Sequence, residues 1–192
     1  CQTRVETVRK DRLEVLKKIG CSRMTFGLEH GDAKFRREKL KRLMSNQVII
    51  DGFRTVREVG IPFSVNNILG FPEETRELAF ETIKLNRQFY ADDRDVFPFT
   101  PFKGTPLRLT AEKLGFVKPN QIVNSIIVHG KSALDMPQFP RNQVNGLVKT
   151  FNFYVKFPES KWPEIERAES DTLDGERLFD ELRQEFIEKY WN

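Results

Sequence analysis

Three short stretches of this chain combine residues that could bind a ligand at the end of a strand. In Gly27–Gly31, Glu29 stands between two glycines directly after an apolar run. In Ile61–Thr75, an apolar run enters a Gly-x-Pro turn that is followed by two glutamates. Phe99–Thr105 is a third turn with glycine and proline. Because glycine lets a ligand approach the backbone closely, the carboxylate of Glu29 is placed to accept hydrogen bonds from ligand hydroxyl or amino groups.

The stretch Ile61–Thr75 is the most informative of the three. Asn66 and Asn67 lie within its apolar run, where a buried side-chain amide needs hydrogen-bond partners. Gly70 permits close approach of the backbone to a ligand and Pro72 stiffens the turn, so backbone groups there could bond to the edge of a flat ring. The two glutamates also suit the first turn of a helix, where the helix dipole favours negative charge.

The other candidate residues have ordinary structural explanations as well. Glu29 could cap a helix or pair with a lysine. Arg4 lies on a strand-like segment and could meet a carboxylate. His30 has no second ligand at metal-binding spacing in the sequence, and His129 lies in an irregular stretch. The sequence shows no glycine-rich phosphate loop, nucleophile elbow or paired-cysteine zinc pattern.

Short helices and apolar strands alternate along the first part of the chain, as in an α/β fold. The predicted helix Asp11–Ile19, with Asp11 as its N-cap, precedes the predicted strand Arg23–Glu29. Further along, the predicted helix Gln47–Val59 precedes the predicted strand Phe63–Leu69. In each pair a glycine directly follows the predicted helix, and a buried strand begins within a few residues.

The same format continues beyond these pairs. We expect helices at Lys34–Met44, capped by Asp32, and at Glu74–Tyr90. A short or edge strand at Asp95–Thr100 contains a proline, and a further helix follows the N-cap Thr105. Four strands that alternate with helices predict a parallel sheet with right-handed crossovers, and ligands of such sheets bind at the carboxyl ends of the strands.

The pattern changes at about Val117, which divides the chain into residues 1–116 and residues 117–192. Prolines interrupt the second part, and its clearest element is the predicted helix Gly175–Tyr190. We assign its many aromatic residues to the core of a helical extension. The alternative is an exposed platform for a substrate or a partner.

Composition is that of an ordinary globular protein. Hydrophobic residues make up 39% and charged residues 31%, and no apolar run is long enough to span a bilayer. The net charge of +4 is small and the basic residues are interspersed with acidic ones, so we do not expect nucleic acid as a partner. The basic run Arg36–Arg42 is predicted to be a solvated helix face. Cys1 and Cys21 are too few for a disulfide framework or a metal cage, and we expect a cytoplasmic location.

Taken together, the three stretches resemble the radical S-adenosylmethionine superfamily, most closely its cobalamin-associated branch. Gly27–Gly31 is similar to the end of the fourth barrel strand of that family, Asn66–Thr75 to the fifth and Phe99–Leu107 to the sixth. Leu134–Pro137 and Phe151–Trp162 look like the extension after the barrel. The resemblance spans nearly the whole chain and implies an α/β fold: a partial (β/α) TIM-like barrel with parallel strands, followed by a mainly helical C-terminal extension.

This resemblance implies an enzyme that binds S-adenosylmethionine on a [4Fe–4S] cluster and cleaves it reductively to a 5′-deoxyadenosyl radical. Glu29 would contact the ribose or the amino group of the cofactor. Ile68, Gly70 and the backbone around Phe71 would flank the adenine, and Thr100–Phe102 would close the pocket. The full set of residues expected to bind the cofactor is Arg4, Gly27, Glu29, Gly31, Asn66, Ile68, Gly70, Phe71, Glu74, Thr100 and Phe102.

Two departures from the family pattern affect these expectations. The family usually has glycine where this chain has Glu73, so we assign Glu74 as the motif glutamate, although the spacing permits either. The cluster motif C-x-x-x-C-x-x-C, whose three thiolates leave one iron open, has no counterpart here. The resemblance therefore implies that the chain starts at about the third barrel strand, with the cluster loop and any cobalamin domain upstream.

Such a fragment is expected to be inactive alone and to hold no cofactor firmly. The sequence does not identify its small-molecule substrate, and its expected partner is the missing N-terminal half of the same polypeptide. An open strand edge near Cys1–Val5 would favour self-association. The alternatives are a radical methylthiotransferase, a coproporphyrinogen-oxidase-like enzyme, or a non-catalytic half-barrel that docks RNA or an acidic partner.

Overall fold

Four parallel strands form a sheet in the order β1-β2-β3-β4, which is also their order along the chain. The computed structural model describes residues 1–123 and 130–190, and the strands in this part are β1 (Gln2–Thr3), β2 (Met24–Glu29), β3 (Phe63–Leu69) and β4 (Asp93–Pro98). In the pairing of β2 with β3, Gly27 lies opposite Asn66. The register then shifts, and Glu29 pairs with Asn67. The predicted α/β class with parallel strands is confirmed.

Eight α-helices accompany the sheet within the described residues. They are α1 (Lys10–Lys18), α2 (Ala33–Lys39), α3 (Asn46–Val59), α4 (Arg76–Asn86), α5 (Pro106–Lys113), α6 (Arg141–Lys156), α7 (Trp162–Ala168) and α8 (Leu173–Tyr190), with short 3-10 turns at Val5–Thr7 and Glu159–Lys161. The mainly helical character of the C-terminal part is therefore confirmed. None of the helices in the described ranges has the length and apolar character that crossing a membrane requires.

The chain divides into two compact units, and neither is continuous in sequence. Unit 1 comprises residues 1–68 and 77–96, and unit 2 comprises residues 69–76 and 97–192. The division at residue 116 was drawn from a change in sequence pattern and stays a prediction.

Capping side chains set several helix ends. The Asp32 carboxylate accepts a hydrogen bond from the N–H of Phe35 at the start of α2, and the Thr105 hydroxyl caps α5, so both predicted caps are confirmed. The prediction for Asp11 is wrong. The helix α1 begins one residue earlier, and the Asp11 carboxylate bonds to the guanidinium of Arg9 instead.

Two helices are shorter than their sequence patterns predict. The helix α2 ends at Lys39 rather than Met44, because the chain turns at Lys41, whose φ of 55° lies outside the right-handed helical region. The helix α4 begins at Arg76 rather than Glu74, because the side chain of Glu74 bonds back to the preceding turn.

The core of unit 1 is a group of aromatic rings between the sheet and α3. The ring of Phe53 on α3 lies 5.5 Å from that of Phe26 on β2 and 5.3 Å from that of Phe63 on β3, measured between centroids. It also lies 4.5 Å from the ring of Phe89. The rings of Phe26, Phe53 and Phe63 are all buried, so this face of the sheet is apolar where it meets α3.

The opposite face of β2 and β3 is polar, because successive side chains of a strand point to alternate sides. On β2 it carries Thr25 and Gly27, and on β3 it carries Ser64, Asn66 and Ile68. The hydroxyls of Thr25 and Ser64 are hydrogen-bonded across the two strands at 3.0 Å. We call these five residues the polar face.

The core of unit 2 is built on α6. The aromatic residues of the C-terminal part are largely interior, as predicted, and the buried ones are Phe139, Phe151, Phe153, Tyr154 and Phe157. The ring of Phe153 on α6 packs against Phe179 and Phe186 of α8 with centroids 5.2 and 5.5 Å apart. These residues form a core and not an exposed aromatic platform.

The aromatic core of unit 1 can be tested by truncation. Phe53→Ala removes a buried ring that touches three others, and we expect it to lower the free energy of unfolding by about 3–5 kcal/mol. Val48→Ala is the matched control, because Val48 lies in the same helix and is 47% exposed. It should change the free energy by less than about 0.5 kcal/mol. Urea unfolding followed by circular dichroism measures both, and similar values for the two variants would contradict the packing.

Candidate functional site

The end of β2 carries a carboxylate on an unusual backbone conformation. Glu29 has a φ of 70°, in the left-handed region that is uncommon for residues other than glycine. Its side chain folds back over Gly27, and the carboxylate lies so close that a Cβ atom at position 27 would collide with Glu29 Oε1. Glycine at position 27 therefore leaves the space in which the carboxylate lies against the polar face.

Two arginines act on the Glu29 carboxylate. Arg42 donates through Nη1 to the carbonyl of Gly27 at 2.8 Å and through Nη2 to Glu29 Oε1 at 2.9 Å. Burial is the largest effect on the pKa of Glu29 and raises it above its ordinary value, while the charges of Arg42 and then Arg4 lower it. Arg4 thus lies within electrostatic reach of the carboxylate, and Arg42 binds it directly.

A second oxygen acceptor lies on the neighbouring strand. Asn66 Oδ1 is buried and has no hydrogen-bond partner within the described ranges. Asn66 lies opposite Gly27, the residue over which the Glu29 carboxylate folds. A buried acceptor without a donor costs roughly 1–3 kcal/mol. The polar face therefore places two acceptors next to each other, and half-buried Ile68 continues it two residues further along β3.

The turn after β2 packs closely against α4. Gly31 donates its N–H to the hydroxyl of Thr82 at 2.8 Å, and a Cβ atom at this position would collide with the backbone of Glu81. His30 is fully buried and its ring stacks on Phe35 with centroids 4.2 Å apart. This packing alone accounts for the glycine at position 31, whose place in a ligand site stays a prediction.

In unit 2, the turn after β3 is closed by a buried glutamate. The Glu74 carboxylate accepts hydrogen bonds from the N–H groups of Gly70 at 2.5 Å and Phe71 at 2.9 Å. Gly70 has a φ of 81°, and a Cβ atom there would lie 2.9 Å from Cγ1 of Val144. The turn thus needs glycine for both its conformation and its packing. Because Glu74 uses both N–H groups, they cannot donate to a ligand.

The two glutamates of this turn have different environments. Glu73 is exposed and has a φ of 68°, whereas Glu74 is fully buried. The left-handed conformation at Glu73 accounts for the glycine that the resemblance leads us to expect at that position. The carboxylate that holds the turn is that of Glu74.

Thr100 and Phe102 lie in the turn after β4, also in unit 2. The N–H of Phe102 donates to the carbonyl of Thr100 at 2.9 Å, and the side chain of Phe102 is 57% exposed. Buried Arg108 donates to the carbonyl of Pro101 at 3.2 Å and pairs with Glu112 at 2.6 Å. Arg108 therefore holds the backbone of this turn in place, while the Phe102 ring is exposed to solvent.

Comparison with known proteins finds a family match over the first part of the chain. Residues 1–85 match the sequence profile described as the Radical SAM superfamily. The first 85 residues of this chain are therefore similar to the radical SAM superfamily. The matched stretch contains the expected site residues from Arg4 to Glu74, whereas Thr100 and Phe102 follow it.

Two further comparisons extend this result. A protein of Pyrococcus horikoshii named as an uncharacterized methyltransferase is 30% identical over 105 residues, which are 55% of this chain and 23% of that protein. Coproporphyrinogen III oxidase (HemN) from Escherichia coli, a radical SAM enzyme, matches in structure with a TM-score of 0.58 at 16% identity, over 82% of this chain and 32% of that chain. The second match shows a shared fold. The chain spans less than a third of the length of either protein.

The residues of this chain fit a nucleoside better than they fit the iron–sulfur cluster of the matched family. A [4Fe–4S] cluster that leaves one iron open needs three thiolates, and the sequence contains two cysteines, exposed Cys1 and half-buried Cys21. No group of three metal-ligating side chains comes together in the part of the chain that the structure describes, and His129 lies outside that part. The acceptors Glu29 and Asn66, in contrast, suit a ligand with adjacent hydroxyl donors.

The sequence did not reveal the arginines that support this site. The prediction that Arg36–Arg42 forms a solvated face is wrong at both ends of the run. Arg36 is fully buried, and the side chain of Arg42 is only 13% exposed. The helix α2 has seven residues, with Phe35 and Arg36 its buried ones, and two turns are too short for a periodic pattern to indicate which face is inside.

The ion pair at the end of β2 predicts a pKa change. Arg42→Gln should raise the pKa of Glu29 further, because burial remains while the nearest positive charge is lost. A carbon-detected NMR titration of the Glu29 carboxyl measures the change. Arg37→Gln removes an exposed charge from the same segment and should leave the pKa of Glu29 as it is.

Arg42→Gln should also change how the stability of the folded chain depends on pH. Because burial raises the pKa of Glu29 in the folded chain, the stability linked to its protonated form is present at low pH and is lost as the pH rises through the folded pKa. Arg42→Gln should lose more stability over that rise than the wild type. An unchanged pKa of Glu29 in Arg42→Gln would contradict the ion pair.

The turn after β3 gives a second test. Glu74→Ala leaves two buried N–H groups without an acceptor and should lower the free energy of unfolding by about 2–5 kcal/mol. Glu73→Gly is the neighbouring control, since it relieves a left-handed φ and should leave stability unchanged or raise it by up to about 1 kcal/mol. Urea unfolding measures both variants. A Glu74→Ala variant as stable as the wild type would show that the carboxylate does not hold the turn.

Proposed function

We propose that this chain supplies the nucleoside-binding residues for S-adenosylmethionine in a radical SAM enzyme. The observation that carries the proposal is the pair of acceptors on the polar face, the Glu29 carboxylate folded over Gly27 and the unpartnered Asn66 Oδ1 opposite it. Ribose hydroxyls and the amino group of the cofactor are donors that suit such acceptors. The match of residues 1–85 to the radical SAM superfamily supports the assignment.

Each residue would have a distinct task. In unit 1, Glu29 would accept a hydrogen bond from a ribose hydroxyl or the amino group while Arg42 holds its Oε1, and Asn66 would accept from a second donor. In unit 2, the family pattern would place the adenine along Gly70 and Phe71. Because Glu74 uses the N–H groups of both, other backbone groups would have to bond to the edge of the adenine.

The cluster would be held by residues outside this chain. In this superfamily the [4Fe–4S] cluster supplies the electron for reductive cleavage of S-adenosylmethionine to a 5′-deoxyadenosyl radical. We propose that the cluster loop and any cobalamin domain precede Cys1 in the same polypeptide, because the sequence has too few cysteines to bind the cluster. Residues 1–192 would then be inactive alone and hold no cofactor firmly.

The finer assignment is a cobalamin-associated radical enzyme of the cytoplasm that acts on an unidentified small molecule. Similarity to a protein named as a methyltransferase favours transfer of a methyl group. A methylthiotransferase or a coproporphyrinogen-oxidase-like activity is the runner-up. Docking of RNA or an acidic partner through the basic run has less support, because Arg36 is buried and Arg42 binds Glu29.

The proposed activity can be measured directly. A polypeptide that joins a cluster loop to residues 1–192 should form 5′-deoxyadenosine after anaerobic reconstitution with iron and sulfide. Glu29→Gln should raise the KM for S-adenosylmethionine by about tenfold or more, because a hydrogen bond to a charged group contributes roughly 1.5–3 kcal/mol. Glu38→Gln, at an exposed carboxylate of α2, is the matched control.

The outcomes separate the enzyme class from the site. Absence of 5′-deoxyadenosine with the reconstituted wild type would rule out the class. Formation of 5′-deoxyadenosine with an unchanged KM in Glu29→Gln would remove Glu29 from the cofactor site and leave the class standing.

A further inference from the structure

Arg36 is a buried cation that donates hydrogen bonds to the turn after β2 and to the residues at the start of α3. Its side chain is fully buried in unit 1. Nη1 donates to the carbonyls of His30 at 2.7 Å and Gly31 at 2.8 Å, the two residues that follow the strand. Nη2 donates to the carbonyl of Met44 at 3.2 Å and to Asn46 Oδ1 at 2.5 Å. One side chain therefore ties the turn after β2 to the start of α3.

The charge of Arg36 is not needed for packing. None of these four acceptors is a carboxylate. Burial lowers the pKa of the guanidinium, the charge of Asp32 raises it and that of Arg42 lowers it again. A buried charge without a directly bonded carboxylate is costly, and an apolar residue of similar volume would fill the same space at a lower cost. What Arg36 adds at this position is a fork of donors with fixed geometry.

The donors of Arg36 fix the backbone directly after Glu29. Two consecutive carbonyls point at one nitrogen, which sets the orientation of both peptide groups. The left-handed φ of Glu29 is unfavourable for a residue with a Cβ atom, and it persists only where several neighbouring contacts hold it. Arg42 belongs to the same support, since its N–H donates to the carbonyl of Arg36 at 3.0 Å. Arg36 thus holds the backbone of the turn while Arg42 holds the carboxylate.

We infer that Arg36 is a positioning residue, which keeps the Glu29 carboxylate folded over Gly27 by holding the carbonyls of His30 and Gly31. The identity of the ligand that this carboxylate serves rests on the proposed function. The positioning itself is a property of the chain without ligand.

A titration of the ligand-free chain tests this role. Arg36→Met removes the donors, so the turn should open and the carboxylate should leave its buried place. The pKa of Glu29, which burial raises, should then fall towards its ordinary value, opposite to the rise expected for Arg42→Gln. Arg36→Lys keeps a charge and donors and should retain the raised pKa. Arg37→Met, one residue along and exposed, is the matched control and should leave the pKa unchanged.

The outcomes are decisive in either direction. A pKa of Glu29 that stays raised in folded Arg36→Met overturns the inference, because the carboxylate would then keep its place without Arg36. If Arg36→Met does not fold, Arg36→Gln replaces it, since it loses the charge and part of the fork. It should lower the pKa of Glu29 by a smaller amount, and an unchanged value overturns the inference.

The ligand-dependent proposal fails separately. If the pKa falls as expected but Glu29→Gln leaves the KM for S-adenosylmethionine unchanged, the positioning role stands and the proposed function fails. If Glu29→Gln raises the KM while Arg36→Met leaves the pKa of Glu29 raised, the proposed function stands and the positioning role fails.

Discussion

The candidate site depends on one constraint, a left-handed backbone at a residue that is not glycine. Glu29 can fold its carboxylate against the polar face only because Gly27 leaves the space and the register of β2 and β3 shifts there. This backbone conformation is unfavourable by itself, so contacts with the surrounding structure must offset its free-energy cost. Two guanidinium groups from one short segment do so, with Arg36 on the backbone and Arg42 on the carboxylate. The strain at the site and the burial of the two cations are therefore parts of one arrangement.

In the turn after β3, a carboxylate holds the backbone, whereas at the end of β2 other groups hold the carboxylate. At the end of β2, donors hold a carboxylate and leave it facing a neighbouring acceptor. In the turn of unit 2, the carboxylate of Glu74 is itself the holder, and the backbone N–H groups of Gly70 and Phe71 are what it fixes. Two acidic residues that look alike in sequence thus have different chemical availability. One can still serve a ligand, and the other is fully engaged by its own turn.

Much of the fold follows from local signals in the sequence. The strand Phe63–Leu69 has the predicted bounds, and Asp32 and Thr105 cap their helices as expected, because capping and strand patterns depend on neighbouring residues. The site residues were found because polar side chains at strand ends stand out from apolar runs. The buried arginines could not be found in this way. Their burial is decided by carbonyls that the fold brings together and not by any periodicity in a helix of seven residues.

The interleaving of the two units bears on how this chain can be inherited and dissected. The chain passes between the units three times, and residues 69–76 belong with a part that resumes only at residue 97. A break at residue 116 would separate Gly70 from Val144, whose methyl group packs against it. Any continuous stretch of gene that encodes one whole unit therefore also encodes part of the other. Recombination that moves residues 1–96, for example, carries residues 69–76 of unit 2 along with unit 1.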